Sequence, residues 1–252
     1  MSTLQNEQRP VQYLDTKDAY DLWSEVYDTD GNFLQAIDTI EMKTWIPKAA
    51  AMAVRDTNEG IDLAVDLGCG TGRNTQRLLM LNLPCERVLG LELSSKMLDL
   101  ARSRCEQAKS KTMMEFKIFD MLSDTIPLNS CGSSDLVIST LVLEHVPAEV
   151  FFTVASSLLR SGGILLVSNM HSDMGKISQA GFVDPKTETK VRPLSLPHTI
   201  ADVLEMASRH GLLLIDEVKE IAVDTDLAQL IGPRGRKWQG IKVWFGAIWK
   251  KI

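Results

Sequence analysis

The sequence is poor in the features that build secreted, fibrous or membrane proteins. Of its 252 residues four are cysteine (Cys69, Cys85, Cys105 and Cys131) and four are histidine, with no C-x-x-C pair and no finger spacing between the two types. Neither a disulfide framework nor a metal site is expected, and a reducing, cytoplasmic setting suits the thiols. No apolar run approaches the roughly 18 residues that span a bilayer. The stretch MSTLQNEQRPVQYLDTKDAY also has no apolar signal-peptide centre, so no membrane partner is expected. Positive charge is in deficit, 27 Lys+Arg against 33 Asp+Glu for a net −6. Such a chain gains nothing from counterion release on a phosphate backbone, which disfavours nucleic acid. The short basic run Arg234, Arg236, Lys237 reads as a solvated turn. A G-x-x-x-x-G-K-[ST] segment is missing, which excludes a P-loop.

What is present is an ordinary globular balance, 44% hydrophobic and 24% charged, at a length suited to one α/β domain with an appendage. Residues 1–12 read as a frayed tail. A helix from about Asp15 puts Tyr20, Trp23 and Tyr27 on one face, and Asp30-Gly31-Asn32 breaks it. Phe33 to Arg55 reads as a second helical region that Pro47 kinks or divides. Short apolar runs then alternate with amphipathic segments, the pattern of a parallel sheet wrapped by helices. Strands are expected at about 62–67, 86–92, 113–119, 134–140 and 163–169, and helices at about 73–82, 94–109 and 147–159. The last two helices would bury Met97, Ala101, Cys105 and Ala108, and Val150, Val154 and Leu158. Beyond residue 170 a polar segment carries a hairpin turn at Asp184-Pro185-Lys186-Thr187. A helix at about 199–210 ends at Gly211, and strands near 212–223 and 240–250 pair antiparallel at the sheet edge.

The strongest local signal is Val65-Asp66-Leu67-Gly68-Cys69-Gly70-Thr71-Gly72-Arg73-Asn74, a strand running into glycines that open a helix. Glycines there let the chain turn tightly and let a ligand approach the backbone. Arg73 stands where a dinucleotide fingerprint wants Gly or Ala. Asp66 would repel a pyrophosphate but favour the ammonium of an amino-acid moiety. The segment VDLGCGTG resembles the first motif of class I S-adenosylmethionine-dependent methyltransferases, and its companions follow in order. Glu92 ends RVLGLEL, Asp120 ends MMEFKIFD, SSDLVISTLVLEHV resembles the family's fourth motif, and LLRSGGILLVSN leads into its fifth strand with Ser161 in place of a proline. YDLWSEVYDTDGN and KVRPLSLPHTIADVL further resemble fungal secondary-metabolite enzymes, including the gliotoxin-type N-methyltransferases.

The resemblance implies a Rossmann-like, seven-stranded, mostly parallel sheet with helices on both faces and an antiparallel last strand. Residues 1–57 would form an N-terminal helical lid region and 58–252 the methyltransferase domain, with a substrate-cap insertion at about 171–198. S-adenosylmethionine is the implied cofactor and S-adenosylhomocysteine the product. Its implied site comprises Asp66, Gly68, Cys69, Gly70, Thr71, Gly72 and Asn74 of the loop, Glu92 on the ribose, and Leu93 and Met97 beside it. Asp120 would meet the adenine amino group, with Met121 at the ring, and Thr140, Leu141 and His145 would line the fourth motif. Tyr20, Trp23 and Tyr27 would either close over the cofactor or pack the first helix on the sheet. Glu92 and Asp120 alternatively cap the helices that follow. Cys69 reads first as a small loop filler, Met97 and Met121 as packing, and His145 as structural. His171 is the general-base candidate against a solvated histidine, and His198 is weaker. Methyl transfer is an in-line displacement that demands position and dryness before it demands a base. The expected partner is a small molecule methylated on N, O or S. An RNA or protein methyltransferase, a cyclising or isomerising enzyme, and a non-catalytic binding module stay open as alternatives.

Overall fold

Residues 10–54, 60–127, 130–232 and 234–252 are described by a computed structural model. The chain runs β1 (Val11–Tyr13), α1 (Thr16–Trp23), α2 (Phe33–Ala53), β2 (Ile61–Leu67), α3 (Arg73–Leu79), β3 (Cys85–Glu92), α4 (Ser95–Glu106), β4 (Met113–Ile118) and β5 (Ser134–Thr140). It continues α5 (Ala148–Leu158), β6 (Leu159–Met170), α6 (Ser172–Gly175), β7 (Phe182–Val183), β8 (Lys190–Arg192), α7 (Ile200–Arg209), β9 (Leu212–Leu214), β10 (Lys219–Ala222), α8 (Thr225–Leu230) and β11 (Lys242–Lys251).

The main sheet follows the order β10-β11-β6-β5-β2-β3-β4. From β6 to β4 all neighbours are parallel, and β11 lies antiparallel to both β6 and β10. This is the expected Rossmann-like architecture. The apolar run of β2, buried at every position but Asp62, suits a central strand covered on both faces. Alternation then divides the core. In β6, Ile164 and Leu166 join α2 and α3 on one face, while Leu165 and Val167 join α5 and α7 on the other. Trp244 and Ile248 of β11 repeat the first face, and Phe245, Ala247 and Trp249 the second.

Several expectations need correction. Val11 and Gln12 are not frayed: β1 pairs parallel with β8, which pairs antiparallel with β7, giving a separate three-stranded sheet. Residues 1–9 of the expected tail lie outside the described residues. The Asp184 turn does join β7 to β8, with Asp184 accepting from the Lys186 amide and the Thr187 hydroxyl. Pro47 does not divide α2, which runs unbroken for 21 residues behind an Asn32 cap. Its small Ala49, Ala50 and Ala53 let it lie close against the sheet. The strand expected at 212–223 is two pieces, β9 and β10, paired to different parts of β11. Helix α5 buries Phe151, Phe152 and Ala155 in place of Val150. No helix among the described residues is long and apolar enough to cross a membrane.

Candidate active site

The carboxyl ends of β2, β3, β4 and β5 meet where the chain order reverses on either side of β2, the crevice that open α/β sheets use for ligands. Three glycines follow β2 with φ of +76° (Gly68), +54° (Gly70) and +77° (Gly72), a region costly to other residues. Their surroundings differ. A Cβ on Gly68 would fall 2.4 Å from Val142 Cγ2 and one on Gly72 2.9 Å from the Ala101 Cα, so these two let the loop seat against its neighbours. A Cβ on Gly70 would meet nothing within 4 Å, so the middle glycine leaves room for a ligand.

Glu92 crosses beneath this loop. Its two carboxylate oxygens accept from the backbone N–H of Gly70 at 3.0 Å and of Ser94 at 2.9 Å, so β3 fixes the loop. Burial pushes its pKa upward, and those N–H groups oppose the rise. Ser94 caps α4 and donates its hydroxyl to Asp21 of α1 at 2.5 Å. Asp120 accepts from the Leu122 amide at 2.9 Å and the Ser123 hydroxyl at 3.0 Å, shaping the turn after β4 while lining the crevice. Among the described residues no helix directly follows Asp120 for it to cap; it closes a turn and faces the crevice. Asp66 is buried and accepts from Thr75 Oγ1 at 2.6 Å; burial pushes its carboxyl up to about 7.

These groups border a cavity of about 730 Å³ that takes in Tyr20, Tyr27, Gly68, Gly70, Glu92, Leu93, Asp120, Met121, Thr140, Leu141 and His145. Asp66, Cys69, Thr71 and Asn74 line a smaller polar cavity of about 290 Å³ that shares Tyr27, Gly68, Gly70 and Thr140 with it. Burial raises the Cys69 thiol well above its usual range, leaving it an inert filler. A second cavity, about 1220 Å³, lies beyond, walled by Trp23, Phe33, Met170, Met174, Phe182 and Trp238. Tyr20, Tyr27 and Leu141 line both large cavities. Leu141 holds φ +58°, a strained conformation for a bulky residue, at the end of β5.

Helix α1 ends at Trp23, before Tyr27, yet the aromatic set stays together. Ring centroids are 5.4 Å apart for Tyr20–Trp23, 6.0 Å for Tyr20–Tyr27 and 5.1 Å for Trp23–Tyr27. Trp23 stacks on Phe182 of β7 at 5.1 Å, and Met97, fully buried beneath the cluster, lines none of the three cavities. Gly72 packs against the Ala101 backbone. His145 Nδ1 lies 2.6 Å from the Leu194 carbonyl, which requires N–H there, and its Nε2 pairs with the Tyr20 hydroxyl, 2.8 Å away. The imidazole thus joins β5, α1 and the 171–198 segment, a positioning part.

His171 is not brought to the crevice. Its Nε2 lies 2.9 Å from Glu220 of β10, its Nδ1 accepts the Asp173 amide at 3.0 Å, and it lines none of the three cavities. It caps α6 at the sheet edge because β6 runs on to Met170 and turns the next residue toward β11. His198 faces the Leu143 and Val146 carbonyls at 3.1 and 3.0 Å. Sequence reasoning missed Thr16, Phe119, Leu122 and Val142 in the first cavity and Glu144 in the second. Glu144 stands beside His145 in the fourth-motif segment, on the short 3-10 turn Leu143–His145 that follows β5; its missed signal was an acid in that segment.

A family model described as a methyltransferase domain matches residues 65–167. An uncharacterized methyltransferase of Emericella nidulans is 41% identical over 259 residues, covering 94% of this chain and 91% of the relative. Among solved structures, the [4+2]-cyclase SpnF aligns with a TM-score of 0.65 at 14% identity, covering 96% of this chain and 98% of its own. A geranyl diphosphate C-methyltransferase from Streptomyces coelicolor, crystallised with S-adenosyl-L-homocysteine, aligns with a TM-score of 0.58 at 13% identity, over 86% of this chain and 80% of its own. By the ordered motifs, the glycine loop and the near full-length relative, the chain belongs to the class I S-adenosylmethionine-dependent methyltransferases.

Proposed function

We propose that the enzyme methylates a small organic acceptor, of the secondary-metabolite kind, held in the second cavity. The observation that carries this reading is that two cavities meet at a shared wall of Tyr20, Tyr27 and Leu141, one behind the glycine loop and one enclosed by aromatic side chains. The loop fits the cofactor, since Gly70 leaves open space where any side chain would stand. Glu92, Asp120 and the Phe119–Met121 wall would hold its nucleoside, and the polar cavity at Asp66 its amino-acid end. When bound, S-adenosylmethionine supplies an electrophilic methyl carbon on sulfonium sulfur.

The chain's own residues then bind, align and exclude water. Two buried atoms of the second cavity's lining, Gln179 Oε1 and Trp238 Nε1, have no partner among the described residues, which suits an acceptor with polar groups of its own. Residues 10–30 and the 171–198 segment act as lid and cap in this reading, latched through His145, and the setting is a reducing cytosol.

Calorimetry with S-adenosylmethionine, followed by incubation of the holoenzyme with metabolite extracts and labelled cofactor, tests the proposal. Label appearing on a small molecule with stoichiometric S-adenosylhomocysteine is expected. A converted acceptor without S-adenosylhomocysteine would favour a cyclising or isomerising enzyme, and label only on RNA or protein would overturn the small-molecule reading.

A further inference from the structure

The second cavity is lined by charges of both signs, Asp30, Glu144, Lys190, Arg234 and Lys237, and the two signs are not equally engaged. Asp30 is committed to the protein: its carboxylate accepts the Trp23 indole N–H at 3.0 Å and the Asn32 amide at 2.9 Å. Arg234 stands 3.9 Å from that carboxylate and donates to the Asp30 carbonyl at 2.5 Å, so these two charges serve each other. Glu144, buried on the turn after β5, accepts the Met170 amide at 3.3 Å and has His145 and His198 as its neighbouring histidines. Lys190 and Lys237 are different. Neither makes an ion pair or a side-chain hydrogen bond among the described residues.

The two lysines reach the cavity from separate segments, Lys190 from β8 and Lys237 from the short turn Arg236–Trp238 ahead of β11. Partial burial lowers the Lys190 pKa, and the positive charges of Arg192, Lys237 and Arg234 lower it further. Like charges gathered in this way cost free energy that an anion among them would recover. Trp238 adds an independent sign. It is 3% exposed, stacks on Phe33 at 5.7 Å and has Lys237 Nζ 4.9 Å from its ring centre, yet its buried indole nitrogen has no partner. An indole nitrogen can only donate, so the missing partner is an acceptor. One wall of the cavity therefore presents a buried N–H and two unpaired ammonium groups, a donor set that an oxyanion completes. The basic run that reads in the sequence as a solvated turn edges this wall through Arg234 and Lys237.

Resting on the reading of this cavity as the acceptor's, we propose that the acceptor carries an oxyanion, a carboxylate or a phosphate, held by Lys190, Lys237 and the Trp238 N–H. None of the three lines the first cavity, so the anion is a recognition handle and the methylated atom lies elsewhere on the acceptor, toward the wall of Tyr20, Tyr27 and Leu141. Gln179 Oε1, the other buried atom of the lining without a partner, takes a donor from the same molecule. Lys190 and Lys237 decide which acceptor enters and take no part in the exchange of bonds.

Wild-type protein saturated with S-adenosylhomocysteine is titrated calorimetrically with phenylacetate, phenyl phosphate, neutral 2-phenylethanol and cationic phenethylammonium. At least one anion is expected to bind tenfold or more tighter than the alcohol and the ammonium, and the tighter anion tells carboxylate from phosphate. Lys190→Met combined with Lys237→Met, which keeps most of each aliphatic stem and removes the charge, is expected to bring the anions to within about twofold of the alcohol with S-adenosylhomocysteine affinity unchanged. Lys190→Arg combined with Lys237→Arg is expected to keep the preference, a rescue that a merely structural role would not show. No anion preference in the wild type, or one that survives in the double Met variant, overturns the proposal. S-adenosylhomocysteine is also titrated alone, and its failure to bind would remove the methyltransferase reading, and the acceptor assignment with it, whatever the probes do.

Discussion

Single residues separate what the glycine loop needs for folding from what it needs for binding. A Cβ at position 70 meets no protein atom, so Gly70→Ala costs only the left-handed backbone, about 1–2 kcal/mol. It should weaken S-adenosylmethionine binding at least tenfold while urea denaturation shows a modest loss. Gly72→Ala drives its methyl into the Ala101 backbone as well and should lose more stability than Gly70→Ala in the same titration. Asp66 makes a pH prediction. Its folded-state pKa, raised from 3.8 to about 7, means the folded protein holds a proton that the unfolded chain has released. Stability of the cofactor-free protein should therefore fall as pH rises from about 4 to 7, by at most about 4 kcal/mol from this group. Asp66→Asn should flatten that stretch of the stability curve, and an unchanged slope would show the carboxyl ionised throughout.

Elements show why the main sheet was legible and the site's other walls less so. Strands β2 to β6 and their helices carry continuous apolar runs and 3.6-residue stripes, and the acids Glu92 and Asp120 fall at strand tips, so pattern and position agree. Leu141, Glu144 and His171 depend instead on where a strand stops and how the chain leaves it. His171 reads as a crevice residue because it directly follows a central strand, but its backbone turns to β11 and its imidazole to Glu220 of β10. The long α2 read as part of a lid region, but its seat on the sheet rests on a buried hub that periodicity does not reveal. Fully buried Asp38 accepts from Arg73 Nη2 at 2.5 Å, Trp244 Nε1 at 3.2 Å and the Ser168 hydroxyl, tying α2 to α3, β11 and β6. Asp38→Ala would leave the Arg73 guanidinium, itself largely buried, without its partner. A loss of about 3–5 kcal/mol in urea denaturation is expected, and Asp38→Asn should lose less because it still accepts from Trp244.

On the scale of the whole molecule, two assemblies share the site. The main sheet closes two large apolar clusters, whereas β1, β7, β8 and α1 enclose a small one of Ala19, Trp23, Met97, Phe182 and Val191. The helix and the hairpin turn of that small assembly were legible in the sequence, but its third strand was not, because β1 is three residues long and pairs Val11–Tyr13 with residues some 180 positions away. Its few side chains give it a lower opening free energy than the sheet, since local stability follows local burial. The same assembly carries Tyr20 and Tyr27, so its opening would connect both cavities with solvent. Phe182, stacked on Trp23, is the largest side chain that the hairpin contributes to the cluster. Phe182→Ala should therefore speed amide exchange across 11–23 and 182–192 at least tenfold, while strands β2, β3 and β5 keep their protection and the global urea midpoint moves little. Uniformly faster exchange through the main sheet would mean instead that the small assembly and the sheet unfold as one unit, and that acceptor entry, on the proposed reading, requires more than the small assembly to move.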